Sequence, residues 1–349
     1  MKSFPTMTDL ELEISNPCNE KCIHCYRTCK NKKKGFLSAR QAESVFSQAK
    51  ALGASRVTIT GGEMLLNSEW KDIVRIADSL DFRISLFSNG TRLTEKDADF
   101  IRGIQGVKTI QISLYALDET VHDLIAGVKG ACVRTKNAIS ILRNRNLPLF
   151  VSCPVMKENR FAVLDVMKWC DDNEIQSCAD VFIFGASDYS GRNLEHRLDR
   201  NDLYAFFDET MKDNGRLSYV WGKKYEHKDL TKIKFYGNAV SSLCISGDGQ
   251  IYPSIGWYEP LGNIDNDSLE KIYKNHPLLR KIRSIAAADI KECLNCSVAD
   301  YCEFCPIPHL TANKGELFKL DTNFCDYVRL RELFVQKRDS ILQNMAATI

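Results

Sequence analysis

The sequence predicts an α/β fold: a partial (β/α)6 barrel followed by a cysteine-rich C-terminal module. Strand-like and helix-like segments alternate six times over the first two-thirds of the chain, which is the pattern of parallel strands covered by helices. Short polar motifs stand at strand ends, where such folds place their reactive centre. Beyond residue 230 or so the pattern changes to a hairpin, short helices and closely spaced cysteines, so residues 1–230 and 231–349 are expected to form two units.

The first strand is Leu10-Glu11-Leu12-Glu13-Ile14, with apolar and acidic residues alternating. A loop follows with Cys18, Cys22 and Cys25, spaced C-x₃-C-x₂-C. Three thiolates on one loop can hold one face of an iron–sulfur cube and leave one iron without a protein ligand. Zinc is the rival ion, but structural zinc takes four closed ligands. The basic run Lys30–Lys34 follows as a solvated turn. Ser38 is the expected cap of a helix reaching Leu52, and Gly53 ends it. The β-branched strand Arg56–Thr60 runs into Gly61-Gly62-Glu63. A helix near Ser68–Leu80 then precedes the strand Phe82–Phe87, which ends in Ser88-Asn89-Gly90. A helix over Thr94–Gly103 leads to the strand Val107–Leu114. Helices over Asp118–Ala126 and Ala131–Arg145 come next, with Gly127 and Gly130 between them. The strand Leu149–Val155, a helix over Phe161–Asn173, the strand Ala179–Phe184 and a helix over Asn201–Lys212 complete six units.

Residues 214–234 read as a linker. Ser241–Ser246 and Gln250–Tyr252 then flank Gly247-Asp248-Gly249, a hairpin signature. A helix is expected over Ser268–Ser284 and another over Asp326–Met345. Between them lie Cys293, Cys296, Cys302 and Cys305, with Cys325 close behind. Five thiols among charged residues have no packing explanation, and C-x₂-C pairs serve zinc as well as iron.

Composition narrows the function classes. The chain has 349 residues, 44% hydrophobic and 26% charged, with a formal charge of +2. No global field points to nucleic acid or a membrane, and neither a signal peptide nor a transmembrane run is present. A cytoplasmic location is expected. In that reducing compartment the 14 cysteines are metal ligands and core residues before they are disulfides.

The C-x₃-C-x₂-C loop followed by Tyr26, together with Gly61-Gly62-Glu63, resembles the radical S-adenosylmethionine (SAM) superfamily. The hairpin, the Pro277-Leu278-Leu279-Arg280 helix and the cysteine string resemble its SPASM module. The likeness runs from about residue 8 to 330. It implies that Cys18, Cys22 and Cys25 hold a [4Fe–4S] cluster whose open iron is chelated by SAM. It also implies that Gly61-Gly62-Glu63 receives the SAM amino group, that His24 sits near the adenine, and that Ser88 and Asn89 form the polar turn after the third strand. Ser113 would reach the ribose, and Arg192 is a candidate partner for the SAM carboxylate. The implied chemistry is the cofactor's: one electron cleaves SAM, and the resulting 5′-deoxyadenosyl radical takes a hydrogen atom from an unactivated carbon.

A SPASM module usually holds two auxiliary clusters, and this sequence departs from that. Tyr236 and Ser254 stand where two cysteines are expected, so one auxiliary [4Fe–4S] cluster is predicted, on Cys293, Cys296, Cys302 and Cys325. The role of Cys305 stays open. Cys244, Cys29, Cys132, Cys153, Cys170 and Cys178 read as structural. Ile112–Tyr115, His122-Asp123, Gly127–Gly130 and Pro154–Asn159 look most like SPASM enzymes that modify peptides. The leading expectation is therefore a maturase of a ribosomally made peptide (a RiPP), performing a crosslink, desaturation or epimerisation. The peptide would lie across the barrel mouth. Only about seven residues precede the first strand, so a separate leader-binding protein is an expected partner, besides a reductant such as flavodoxin or ferredoxin. The alternatives are a tetrapyrrole (heme) side-chain modifier and a non-catalytic metal-binding interaction protein.

Overall fold

A computed structural model describes residues 5–27, 35–212, 224–225, 229–234 and 239–346. Cys29, the Lys30–Lys34 run and Tyr236 lie outside these residues, as does most of the expected linker. Nine strands form one sheet in the order β6-β5-β4-β3-β2-β1-β7-β8-β9. The first six are β1 (Asp9–Glu13), β2 (Arg56–Thr60), β3 (Arg83–Ser88), β4 (Val107–Ser113), β5 (Leu149–Pro154) and β6 (Gln176–Asp180). They pair in parallel, each with its sequence neighbour. The helices between them are α1 (Ala39–Ala51), α2 (Trp70–Ser79), α3 (Glu95–Arg102), α4 (Glu119–Ala126), α5 (Ala131–Arg143) and α6 (Ala162–Asp172), with α7 (Arg200–Lys212) after β6.

Local sequence sets the ends of these helices. Ser38 and Gln41 close a capping box on α1, and Thr94 and Asp97 close one on α3. Each satisfies backbone donors that the first turn leaves without partners. Gly127 ends α4 in the left-handed region at φ 67°, and a side chain there would also press on the carbonyl of Lys21. On β1, Leu10 and Leu12 are fully buried in the main core, each contributing about 1.5–3 kcal/mol of burial. The alternate residues of the same strand, Glu11 and Glu13, are also buried.

Three expectations need correction. The sixth strand is Gln176–Asp180 and not Ala179–Phe184. As a sheet edge it tolerates polar residues, whereas Phe182 packs against Phe324 and Tyr327 of the C-terminal region. The helix expected over 268–284 is two, α8 (Leu269–Asn275) and α9 (Pro277–Ser284), because Pro277 lacks the N–H a continuous helix needs and starts the second. The hairpin is not apart from the barrel either. Its first strand β7 (Ser242–Ile245) pairs in parallel with β1, and β8 (Gln250–Tyr252) and β9 (Gly262–Asn263) extend the same sheet antiparallel.

After β9, α8 and α9 come α10 (Lys291–Leu294), α11 (Pro306–Ala312) and α12 (Thr322–Ala346). Helix α12 packs on α7 and so ties the tail to the barrel's outer layer. Among the described residues no helix is long and apolar enough to cross a membrane.

Candidate functional site

A cavity of about 900 Å³ opens at the C-terminal ends of the parallel strands. Its wall takes residues from the ends of all six: Cys18, Cys22, His24 and Cys25 after β1, Gly61 and Gly62 after β2, and Ser88 and Asn89 of β3. Ser113, Tyr115, Pro154, Asp180 and Phe182 come from the ends of β4, β5 and β6. A partial barrel curled around its own strand ends is the arrangement that gathers such residues.

The cysteine loop is held by backbone. Lys21 N–H donates to Ala126 C=O at 2.9 Å and Ile23 N–H to Ile125 C=O at 3.0 Å, so the loop lies along the end of α4. Asn89 fastens it from the other side: its Nδ2 donates to Asn19 Oδ1 at 3.0 Å, and Asn19 Nδ2 donates to Thr91 Oγ1 at 2.7 Å. The two glycines serve this loop before any ligand. A Cβ on Gly62 would stand 2.3 Å from the carbonyl oxygen of Pro17, so only glycine lets β2's end lie against the loop.

Glu63 is 1% exposed. Its carboxylate accepts from Leu65 N–H at 3.0 Å, Ser88 O–H at 2.7 Å and Asn89 N–H at 2.8 Å. Both oxygens are thus committed inside the protein, where they fix the Ser88–Asn89 turn. Burial raises its pKa, and the three donors oppose that rise. Arg192 lines the same cavity and also braces the backbone. Its Nη2 donates to the carbonyls of Cys25 at 3.0 Å and Arg27 at 2.9 Å, bracing the loop's exit at the cavity mouth. His24 has its ring edge-on to Tyr115 at 5.1 Å, and its Nδ1 is buried without a hydrogen-bond partner. Burial pulls its pKa down to about 4, so it is neutral.

Cys18 faces the open cavity while Cys22 and Cys25 are half-buried. Burial, with Glu63, Glu20 and Cys25 nearby, pushes the Cys18 thiol up to about 12, and burial raises Cys22 further beyond its usual range. A donor set so hard to ionise alone is suited to a metal group whose charge draws off the protons. In the tail, burial is the largest cause raising the thiols of Cys293, Cys302 and Cys325, and each is raised further by at least one neighbour among Cys293, Cys296 and Cys325, so the four lie near one another. Cys305 stands outside that set and caps α11; its thiol is shaped by burial, the Ile307 N–H and Glu303. Among the described residues no group of three His, Cys, Asp or Glu converges tightly enough to chelate a single metal ion.

A second buried layer lies beneath the loop, and no motif announces it. Glu13 meets Arg27 at 2.9 Å and accepts from Tyr258 O–H at 2.8 Å. Glu11 accepts from Ile255 N–H at 2.5 Å, and Ile255 lines the cavity. Cys244 is fully buried beside them. The alternation of acids along β1 was the available signal: a central parallel strand with polar residues on one face must turn that face to an internal cavity.

Glu11 makes a pH prediction. Burial, with Glu13 and Asp9 adding to it and the Ile255 N–H opposing, pushes its pKa up to about 8 from 4.5. A raised carboxyl contributes stability that is complete below the unfolded pKa near 4.5 and lost as pH rises through 8. The melting temperature should therefore fall from pH 6 to pH 8.5 more steeply in the wild type than in Glu11→Gln, with a gap of about 2–4 °C at the alkaline end. Glu20, raised to about 7 chiefly by burial, leaves a residual slope in both. Parallel melting curves would contradict the assignment.

Comparison with known proteins places this geometry. Residues 12–170 match the model of the Radical SAM superfamily. The sporulation killing factor maturation protein SkfB of Bacillus subtilis is 28% identical over 75% of this chain and 63% of its own length, so the match spans less than two-thirds of that relative. The antilisterial bacteriocin subtilosin biosynthesis protein AlbA of the same organism is 25% identical over 95% of this chain and 73% of its length. An AdoMet-dependent heme synthase of Methanosarcina barkeri is 22% identical over 84% of this chain and 88% of its length. In fold, the chain is similar to Streptococcus suis SuiB bound to its precursor peptide SuiA, with a TM-score of 0.72, 18% identity, and coverage of 92% of this chain and 76% of that one. With the three-cysteine loop, Gly61 and Gly62 meeting at one cavity and Glu63 buried behind it, residues 12–170 are a radical SAM domain.

Proposed function

We propose that this chain is a peptide-modifying radical SAM enzyme. Cys18, Cys22 and Cys25 would hold the family's [4Fe–4S] cluster, which with SAM supplies a radical able to take a hydrogen atom from an unactivated carbon. The observation that carries the peptide reading is the extent of the cavity. Its volume of about 900 Å³ continues beyond the cysteine loop to Phe182, Ile183, Phe184 and Asp188, and to Ile255 of the tail. That is near the upper end of the ~300–1,000 Å³ usual for small-ligand sites, which leaves room for a substrate segment beside the cofactor. Two of the relatives are maturation or biosynthesis proteins for peptides by name, and SuiB was captured with a precursor peptide.

The chain's own residues position and shield in this reading. Glu63 and Asn89 fix the turn after β3, and Ser113 offers a hydroxyl at the end of β4. Tyr26, Tyr115 and Phe182 line the cavity with rings that would keep water from the reacting carbon. Cys293, Cys296, Cys302 and Cys325 would hold one auxiliary cluster. Four thiols near one another supply the four ligands that a cubane cluster takes. In this reading residues 1–230 carry the radical chemistry and residues 231–349 the auxiliary centre.

Co-expression with a short peptide encoded beside this chain tests the reading. Loss of two hydrogens would mark a crosslink or desaturation, and deuterium uptake at constant mass an epimerisation. The heme synthase relative supports a second reading, a tetrapyrrole side-chain modifier. If peptides stay unaltered while a tetrapyrrole stimulates 5′-deoxyadenosine formation, that second reading replaces the first.

A further inference from the structure

The cavity is electrically lopsided. Lys21, Arg27 and Arg192 line it around the cysteine loop together with Glu20, and the carboxylates Asp180 and Asp188 line it at and beyond the end of β6. Asp180 is exposed and lines the cavity. Its Oδ1 accepts from Phe182 N–H at 3.0 Å, an Asx-type turn that aims the carboxylate. Among the described residues no lysine, arginine or histidine forms an ion pair with it. Burial raises its pKa, the Phe182 N–H opposes this, and the charge facing it, Glu303, adds to the rise. Glu303 has a counter-ion of its own in Arg331 at 3.6 Å.

Most other titratable groups of the wall are already engaged; the exceptions are Lys21 at the cysteine loop and the neutral His24. The cysteines are the proposed cluster ligands. Glu20 accepts from Cys22 Sγ at 3.4 Å, Arg27 meets Glu13, and Arg192 braces backbone. Tyr26 and Tyr115 are held protonated chiefly by burial. Asp188 accepts from Ser190 N–H at 3.1 Å. Asp180 is the carboxylate set against the aromatic side of the cavity, with Phe182 and Phe184 also in the wall. Phe182 already carries a cation on its ring, Arg197 at 4.4 Å. An anion beside aromatic faces is the arrangement that recognises an organic cation.

We propose that Asp180 anchors a positively charged side chain of the substrate, a guanidinium or ammonium group, and thereby sets which carbon stands at the cysteine end of the cavity. This rests on the peptide reading and narrows it to peptides with a lysine or arginine near the modified residue. Each ionic hydrogen bond at such a site adds geometric selection as well as affinity.

The probe is n-butylguanidinium, the end of an arginine side chain, compared with the uncharged n-butylurea. Binding is measured by titration to holoenzyme in the presence of SAM. The wild type should prefer the cation, and Asp180→Asn should lose at least tenfold in its affinity. The asparagine keeps an acceptor for the Phe182 N–H, so SAM affinity, measured in the same samples, should hold. Equal affinity for cation and urea in the wild type, or undiminished cation binding in Asp180→Asn with SAM affinity intact, would overturn the anchor. A modified peptide that tolerates replacement of its cationic residues would overturn it too, while leaving the peptide reading in place. Failure to modify any peptide removes that reading whether or not the probe binds.

Discussion

Replacing Cys18, Cys22 and Cys25 together with alanine should abolish 5′-deoxyadenosine formation and halve the iron, from about eight to about four per chain at four irons per cluster. The three thiols face one cavity with Gly61 and Gly62, while the tail's four lie in a separate set, so loss of the first should leave the second filled. The complementary variant sharpens the result. Replacing Cys293, Cys296 or Cys302 with alanine should spare part of the SAM cleavage and remove product, whereas Cys305→Ala should keep both clusters. Iron analysis and Mössbauer spectra check all of these. About twelve irons in the wild type, zinc in the tail, or SAM cleavage by the triple variant would each defeat the assignment.

Glu63→Ala should be the most damaging single replacement outside the cysteines. It leaves the N–H groups of Leu65 and Asn89 and the hydroxyl of Ser88 without their acceptor in a site that is 1% exposed. Each lost acceptor costs about 1–3 kcal/mol, and the sum is a large share of the ~5–15 kcal/mol that keeps a domain folded. Glu63→Gln separates structure from charge. With its oxygen in the place of Oε1 it still accepts from Ser88 and Leu65, but its NH₂ then faces the Asn89 N–H, donor against donor. Chemical denaturation should show a severe loss of stability for alanine and a smaller one for glutamine. SAM affinity should fall in the same order, because the displaced turn includes Ser88 and Asn89. Unchanged SAM affinity in a folded Glu63→Ala would show that the turn does not shape the site.

Much of the site was legible because its residues are local. A cysteine spacing, a Gly-Gly-Glu at a strand end and a Ser-Asn-Gly turn are read from a few neighbours, and the alternation of elements brings strand ends together. The capping boxes at Ser38 and Thr94 were equally local. What stayed hidden depended on partners far along the chain. The contacts of Glu63 with Ser88 and Asn89, some 25 residues on, have no local signature. Arg192 also donates through Nη2 to the loop's carbonyls 165 and 167 residues earlier, a contact no local pattern shows. The apolar run Val181–Phe184 resembled a strand; its rings belong to a tertiary contact with the last helix. No local pattern could say that β7 would add itself beside β1.

That last pairing puts the founding strand of the cysteine loop in the middle of the sheet, with β2 on one side and β7 on the other. Glu13 leaves the ribosome well before Ser242, which follows it by roughly 230 residues. At about 5–20 residues per second the wait is on the order of 10–50 s. Throughout that interval one hydrogen-bonding edge of β1 is open, and Glu11 and Glu13 lack Ile255 and Tyr258. The order of synthesis therefore imposes an order of assembly: the iron site encoded first gains its full support only when the tail has been made.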